Sequence, residues 1–145
     1  MEIITHSAQE TKELGQKIAT NIVKQGREMS ARFIALYGEL GSGKTTFVQG
    51  LAQGLGLPRR IVSPTFIIVR EYPIARGAFK CFYHIDLYRI ETLTDLAGLG
   101  FAEIFADPAH IVVIEWAEKL IKLPKKRIDI KFEQINETKR KVIFY

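Results

Sequence analysis

Residues 38–45 read Gly-Glu-Leu-Gly-Ser-Gly-Lys-Thr, the pattern G-x-x-x-x-G-K-[ST], and its flanks restrict the fold that can carry it. Upstream, Arg32-Phe33-Ile34-Ala35-Leu36-Tyr37 has the length and apolarity of a short buried strand. Downstream, Phe47, Val48, Leu51, Ala52 and Leu55 recur at helical spacing. A strand that turns through a glycine-rich loop into a helix makes an anion cradle. Glycines let successive backbone N–H groups curl around one anion, and the helix adds unsatisfied N–H groups and the positive end of its dipole. Lys44 supplies a compact charge suited to β- and γ-phosphates, and the Thr45 hydroxyl suits Mg²⁺. The loop selects phosphate, not the base or the reaction.

The rest of the chain supplies an α/β frame for this loop. Ser7 to Glu10 has the form of a capping box, followed by the apolar stripe Leu14, Ile18, Ile22 and Val23 and a stop at Gly26. The second helix ends at Gly54 or Gly56. Ile67 to Tyr72 and Phe79 to Leu87 read as strands joined by a turn over Pro73 to Gly77. Thr92 to Leu99 reads as a short helix and Phe101 to Phe105 as a helical turn. Ile111-Val112-Val113-Ile114 is the apolar run of a central parallel strand. Arg127 to Glu133 and Lys139 to Tyr145 alternate, with Gln134 to Thr138 closing a terminal hairpin. The expectation is one domain over residues 1–145: an α/β, P-loop NTPase-like fold with a mixed, partly parallel central sheet and flanking helices.

A chain of 145 residues leaves little room for a separate lid or substrate domain, so a partner is expected to complete its task. Its apolar runs are too short to cross a bilayer and no amino-terminal signal is visible. Cys81 is alone, which with the preceding points to the cytoplasm and to a packed thiol in a strand. Net charge is +5 with a pI near 9.4. Basic residues gather at Lys122, Lys125, Lys126 and Arg127 and at Lys139, Arg140 and Lys141. These are either solvated edges or a face for RNA or a protein partner.

A phosphate-bound Mg²⁺ needs oxygen ligands beyond Thr45. Glu115 follows Ile111 to Ile114 in the layout of a Walker B strand, and Asp86 ends Phe82-Tyr83-His84-Ile85 in a similar one. One acid can hold the metal while the other orients water; the residues alone leave the two roles unassigned. His84 has either a direct role or a hydrogen-bonded place in the sheet. Ser63 and Thr65 form either a phosphate-sensing switch or a cap around Pro64. Trp116 belongs beside the nucleotide, at a partner surface, or in the core.

Taken together, Gly38 to Thr46, Ser63-Pro64-Thr65-Phe66, His84-Ile85-Asp86-Leu87-Tyr88-Arg89 and Glu115-Trp116 resemble the ordered motifs of the bacterial TsaE (YjeE) ATPases. The resemblance runs from the first helix to the region after Trp116. It implies an ATPase that supports threonylcarbamoyladenosine modification of tRNA, with a TsaD-like transferase and a TsaB-like scaffold as partners and tRNA met through that complex. It further implies that Gly38, Glu39, Leu40, Gly41, Ser42, Gly43, Lys44, Thr45 and Thr46 hold ATP, with Trp116 nearby. Thr45 and Glu115 would attend Mg²⁺, with Asp86 close by as the acid needed for hydrolysis beside Lys44. The start of the first helix, around Ser7 and Ala8, corresponds weakly to a segment near the adenine. The carboxyl-terminal hairpin supports no residue assignment. Two alternatives stand beside this reading. One is a nucleotide-gated binding module with incidental hydrolysis; the other is a small-molecule kinase, which the lack of an Arg-rich lid weakens. Guanine preference is disfavoured, because the Asn-Lys-x-Asp base-reading tetrapeptide is absent.

Overall fold

A computed structural model describes residues 1–57, 68–91, 100–120 and 122–145. Its elements, in chain order, are β1 (Glu2–Thr5), α1 (Ala8–Gln25), β2 (Arg32–Tyr37), α2 (Lys44–Gly54), β3 (Val69–Arg76), β4 (Phe79–Asp86), α3 (Phe101–Ala106), β5 (His110–Glu115), β6 (Ile128–Gln134) and β7 (Arg140–Phe144). The strands form one seven-stranded sheet in the order β1-β7-β6-β2-β5-β4-β3. Strands β6, β2, β5 and β4 are mutually parallel, while β1, β7 and β3 join antiparallel at the two edges. The expected α/β class with a mixed, partly parallel sheet is therefore observed.

Side-chain alternation sorts the central strands onto two covered faces. Ile34 and Leu36 of β2, Phe82 of β4, Ile111 and Val113 of β5 and Phe132 of β6 pack against α1 and α2. Phe33, Ala35, Tyr83, Ile85, Val112 and Ile114 face the other way, where Phe101, Ile104 and Phe105 lie against them. By the same alternation His84, Asp86 and Glu115 point to the face covered by α1 and α2. Among the described residues, no helix is long and apolar enough to cross a membrane.

Helix α1 starts as its sequence suggests: the Ser7 hydroxyl accepts the Glu10 N–H at 3.1 Å. The return bond differs by one residue, since Glu10 Oε1 accepts from the His6 N–H at 3.2 Å instead of from the cap residue. Gly26, at φ 78°, closes the helix. The expected turn over Pro73 to Gly77 is shorter than its sequence suggests, because β3 runs through Pro73 to Arg76 with a bulge and turns only at Gly77. β3 is an edge strand, the sheet position in which a proline is tolerated. The helix expected at 92–99 and the loop holding Ser63 to Phe66 lie outside the described residues.

Helices α1 and α2 approach through glycines. A methyl group on Gly50 would overlap the Lys12 backbone carbonyl, and one on Gly15 would sit 2.7 Å from the Leu51 nitrogen. Gly50→Ala should therefore destabilise the fold by about 1–3 kcal/mol or more through overpacking, despite alanine's higher helix propensity of about 1 kcal/mol. Urea denaturation would show a lower midpoint at similar slope; an unchanged or higher midpoint would contradict this packing.

Candidate functional site: a phosphate cradle with two acids

The glycine-rich loop leaves the carboxyl end of β2 and enters α2, where it forms one wall of a cleft of about 550 Å³. Its shape needs glycine at two points in particular. Gly38 has φ 140°, and a Cβ there would meet the Phe132 carbonyl at 2.6 Å. Gly43 caps α2 at φ 108°, a left-handed conformation that most side chains resist. Lys44, Thr45 and Thr46 form the first turn of α2 and line the cleft. Their N–H groups are those a helix cannot satisfy from within, and the helix dipole favours an anion there.

Lys44 is 4% exposed. Its ammonium donates to the Gly38 carbonyl and lies 3.7 Å from the centre of the Trp116 ring. Burial lowers its pKa from the ordinary lysine value, against the opposing charges of Glu115, Glu118, Asp86 and Glu39. Trp116 follows β5 at φ 59°, among the described residues the one non-glycine at positive φ. This turn lays the indole over Lys44 and tilts it against Tyr88, with ring centres 5.2 Å apart. Trp116 is therefore a lid on the lysine as well as a partly buried packing residue.

Parallel pairing places the acids. Glu115 is opposite Leu36 on one side and opposite Asp86 on the other. Glu115 is 2% exposed; its Oε1 accepts from the Thr45 hydroxyl at 3.4 Å and its Oε2 lies 2.5 Å from His84 Nε2. Asp86 lines the same cleft and accepts the Tyr88 N–H at 3.0 Å. Among the described residues, no group of three or more His, Cys, Asp or Glu is gathered to hold a metal alone. A hydroxyl and two carboxylates are nonetheless the hard oxygen donors that Mg²⁺ takes together with phosphate oxygens and water. The residues present fit both a triphosphate and Mg²⁺.

The structure thus gathers Gly41, Gly43, Lys44, Thr45, Asp86, Glu115 and Trp116 about one cleft, with Ala8 of α1 also in its lining. Gly38, Glu39 and Ser42 lie on the other side of the loop, along a second cleft of about 530 Å³, while Leu40 borders both. Thr11, Ile68, Glu137, Thr138 and Arg140 also line the cleft and were missed in the sequence. Thr11, buried and bonded to Thr5 Oγ1 at 2.7 Å, joins Ala8 in the wall. Arg140, on β7, donates to the Gly41 carbonyl at 3.2 Å and brings the β6–β7 hairpin over the loop. No motif marks Arg140; only the placement of β6 beside β2 delivers the hairpin there.

Of the other sequence candidates, Cys81 resolves into packing. Cys81 is buried and bonded to Glu71 at 3.4 Å, and burial pushes the thiol to about 11, which makes it unreactive. The basic run is partly neutralised: Lys126 pairs with Glu28, and Arg127 pairs with Asp129 at 2.8 Å. Lys141 pairs with Glu2 at 3.5 Å. Ser63 and Thr65 lie outside the described residues.

With this geometry in place, comparison with known proteins is specific. Residues 5–142 match the family model described as threonylcarbamoyl adenosine biosynthesis protein TsaE. The tRNA threonylcarbamoyladenosine biosynthesis protein TsaE of Bacillus subtilis is 34% identical over 141 residues, spanning 97% of this chain and 82% of that protein. The protein of the same name from Treponema pallidum is 32% identical over 143 residues, 98% of both chains. The crystal structure of YdiB from Bacillus subtilis superposes with a TM-score of 0.75 at 30% identity, covering 99% of this chain and 83% of that one. The glycine-rich loop, the paired acids and near-complete coverage agree: the chain belongs to the TsaE family of threonylcarbamoyl adenosine biosynthesis proteins.

Proposed function

We propose that this protein is a Mg²⁺-dependent ATPase that serves threonylcarbamoyladenosine modification of tRNA in the cytoplasm, in complex with TsaD-like and TsaB-like partners. The observation that carries the reading is the convergence of Lys44, Thr45, Asp86 and Glu115 at the carboxyl ends of β2, β4 and β5. In this reading the residues of the loop and first turn of α2 bind the phosphates through backbone N–H groups. Lys44 leaves the Gly38 carbonyl and the Trp116 face to meet the β- and γ-phosphates. Thr45 and Glu115 hold Mg²⁺, which when bound neutralises charge on the phosphate oxygens. Asp86, one strand further from the loop, orients the attacking water. The base lies towards Ala8 and Thr11, at the start of α1. Water is the nucleophile in this reading.

Lys44→Met keeps the apolar stem and removes the charge. Loss of a charge-assisted hydrogen bond of about 1.5–3 kcal/mol should weaken ATP binding roughly ten- to over a hundredfold. Nucleotide-free stability should not fall, since a buried ammonium is removed. The folded-state pKa of Lys44 lies below the unfolded value, so the folded protein binds fewer protons between the two. Wild-type stability should gain from this group as pH rises from the lowered value towards the ordinary lysine value, and Lys44→Met should abolish that gain. Calorimetric titration and denaturation against pH check both halves; unchanged ATP affinity in the folded variant would sink the cradle reading.

Glu115→Gln should raise the Mg²⁺ concentration needed for nucleotide binding. Asp86→Asn should leave binding near wild type and lower turnover, by about 10²–10⁴-fold if its role is general-base-like. Titration and single-turnover hydrolysis separate them, and the reverse pattern would exchange the two roles.

Hydrolysis by the isolated chain should be slow and should change when the partners are added. A partner that prefers one nucleotide state must shift nucleotide affinity by the same factor. Partner affinity is measured for the nucleotide-free, ADP and non-hydrolysable-ATP forms, with tRNA modification assayed alongside. Equal affinities and an unchanged rate would remove the case for a cycle. Tight partner binding with modification that needs no turnover would favour a nucleotide-gated binding module.

A further inference from the structure

His84 is fully buried and its Nε2 lies 2.5 Å from Glu115 Oε2. Strand register produces this contact. Asp86 stands opposite Glu115 in the parallel β4–β5 pair, and His84, two residues earlier on β4, shares the face of Asp86 and reaches Glu115 diagonally. Where Glu115 accepts in this contact, the hydrogen between them is carried by Nε2. His84 Nδ1 is buried and has no hydrogen-bond partner among the described residues. Buried polar side-chain atoms are nearly always partnered, so a ring satisfied on one nitrogen alone marks the Glu115 contact as its purpose.

The geometry at Glu115 shows what that contact achieves. One oxygen is held by His84, and the other is turned to the Thr45 hydroxyl at 3.4 Å. Lys44 and Glu115 line the same cleft. The ammonium nevertheless bonds to the Gly38 carbonyl and stacks on Trp116; among the described residues it forms no ion pair. A carboxylate released from His84 can rotate towards that ammonium, and a direct pair would withhold Lys44 from phosphate and Glu115 from the metal. We propose that His84 is a positioning residue, which pins one oxygen of Glu115 so that the other faces the Thr45 side, and thereby sets the protein's affinity for Mg²⁺ in the nucleotide complex. The proposal rests on the ATPase reading above and assigns within it a residue that touches neither metal nor nucleotide. Partners that orient a metal ligand in this way change metal affinity by about 10–100-fold when removed.

Two amides of different reach test it in the full-length chain. His84→Gln places an N–H near the position of Nε2–H, whereas His84→Asn falls short of it. The Mg²⁺ concentration for half-maximal response is measured by Trp116 fluorescence with a β,γ-imido analogue of ATP present. Analogue affinity in excess EDTA and the melting temperature are measured beside it. His84→Asn should require about 10–100-fold more Mg²⁺, and His84→Gln should return to within a few-fold of wild type. Affinity in EDTA should be the same for all three. A wild-type Mg²⁺ requirement in His84→Asn, or equal impairment in both variants, would overturn the role. Loss of EDTA affinity in step with melting temperature would also overturn it, by showing a merely structural effect. Should His84→Asn fail to fold, nitrogen NMR of the wild-type ring decides: hydrogen on Nε2 with a bare Nδ1 supports the assignment, and hydrogen on Nδ1 overturns it. A wild-type protein that binds the analogue equally with and without Mg²⁺ would overturn the metal reading first, and the role of His84 with it.

Discussion

Parallel pairing of β2 with β5, and of β5 with β4, brings the carboxyl ends of three strands to one edge of the sheet, and the residues at and just beyond those ends make the site. After β2 comes the glycine-rich turn, and β4 and β5 end in Asp86 and Glu115. Register is decisive here. Ile111 and Val113 on one face, and Val112 and Ile114 on the other, are fully buried, so β5 cannot slip by one residue without turning Glu115 to the α3 side. The apolar packing that holds the fold together is the same packing that aims the acid at Thr45. Ligand crevices beyond the carboxyl ends of parallel strands are a general consequence of this geometry.

Around that edge the fold accepts features that oppose its own stability. Lys44 and Glu115 are almost wholly buried, His84 leaves one nitrogen without a partner among the described residues, and Trp116 adopts a left-handed backbone conformation. A bulky residue held there costs about 1–3 kcal/mol, and buried charges are often less favourable than well-packed apolar side chains. These features lie within a few residues of the glycine-rich loop or of the two acids. Elsewhere the same sheet is conventional, with apolar alternation inside and paired charges such as Arg127 and Asp129 outside. Such a contrast is expected where a site needs charges and geometry that a core does not.

What could be read from the chain was whatever depends on neighbours in sequence. The glycine-rich loop between a strand and a helix, the cap at Ser7, the apolar run of β5 and the terminal hairpin are local patterns, and each appears where its residues put it. The positions of Asp86 and Glu115 were legible too, because both end recognisable strands. What escaped depends on neighbours in space. Strand β1 is a four-residue edge element whose partner is β7, at the other end of the chain. Arg140 reaches Gly41 only because β6 lies beside β2. Pro73 read as a turn residue, yet an edge strand tolerates it. The His84–Glu115 contact arises from the register between β4 and β5, which no single segment encodes.

A crystal structure of the protein with Mg²⁺ and a non-hydrolysable ATP analogue tests the central claim most directly. The account predicts the β- and γ-phosphates within hydrogen-bond distance of the N–H groups of residues 41–46, with Lys44 moved from the Gly38 carbonyl and the Trp116 face onto phosphate oxygens. It further predicts Mg²⁺ about 2.0–2.1 Å from Thr45 Oγ1, with Glu115 beside it directly or through one water. A triphosphate bound away from the loop, or Lys44 still held by Gly38 with the metal far from Thr45 and Glu115, would contradict it.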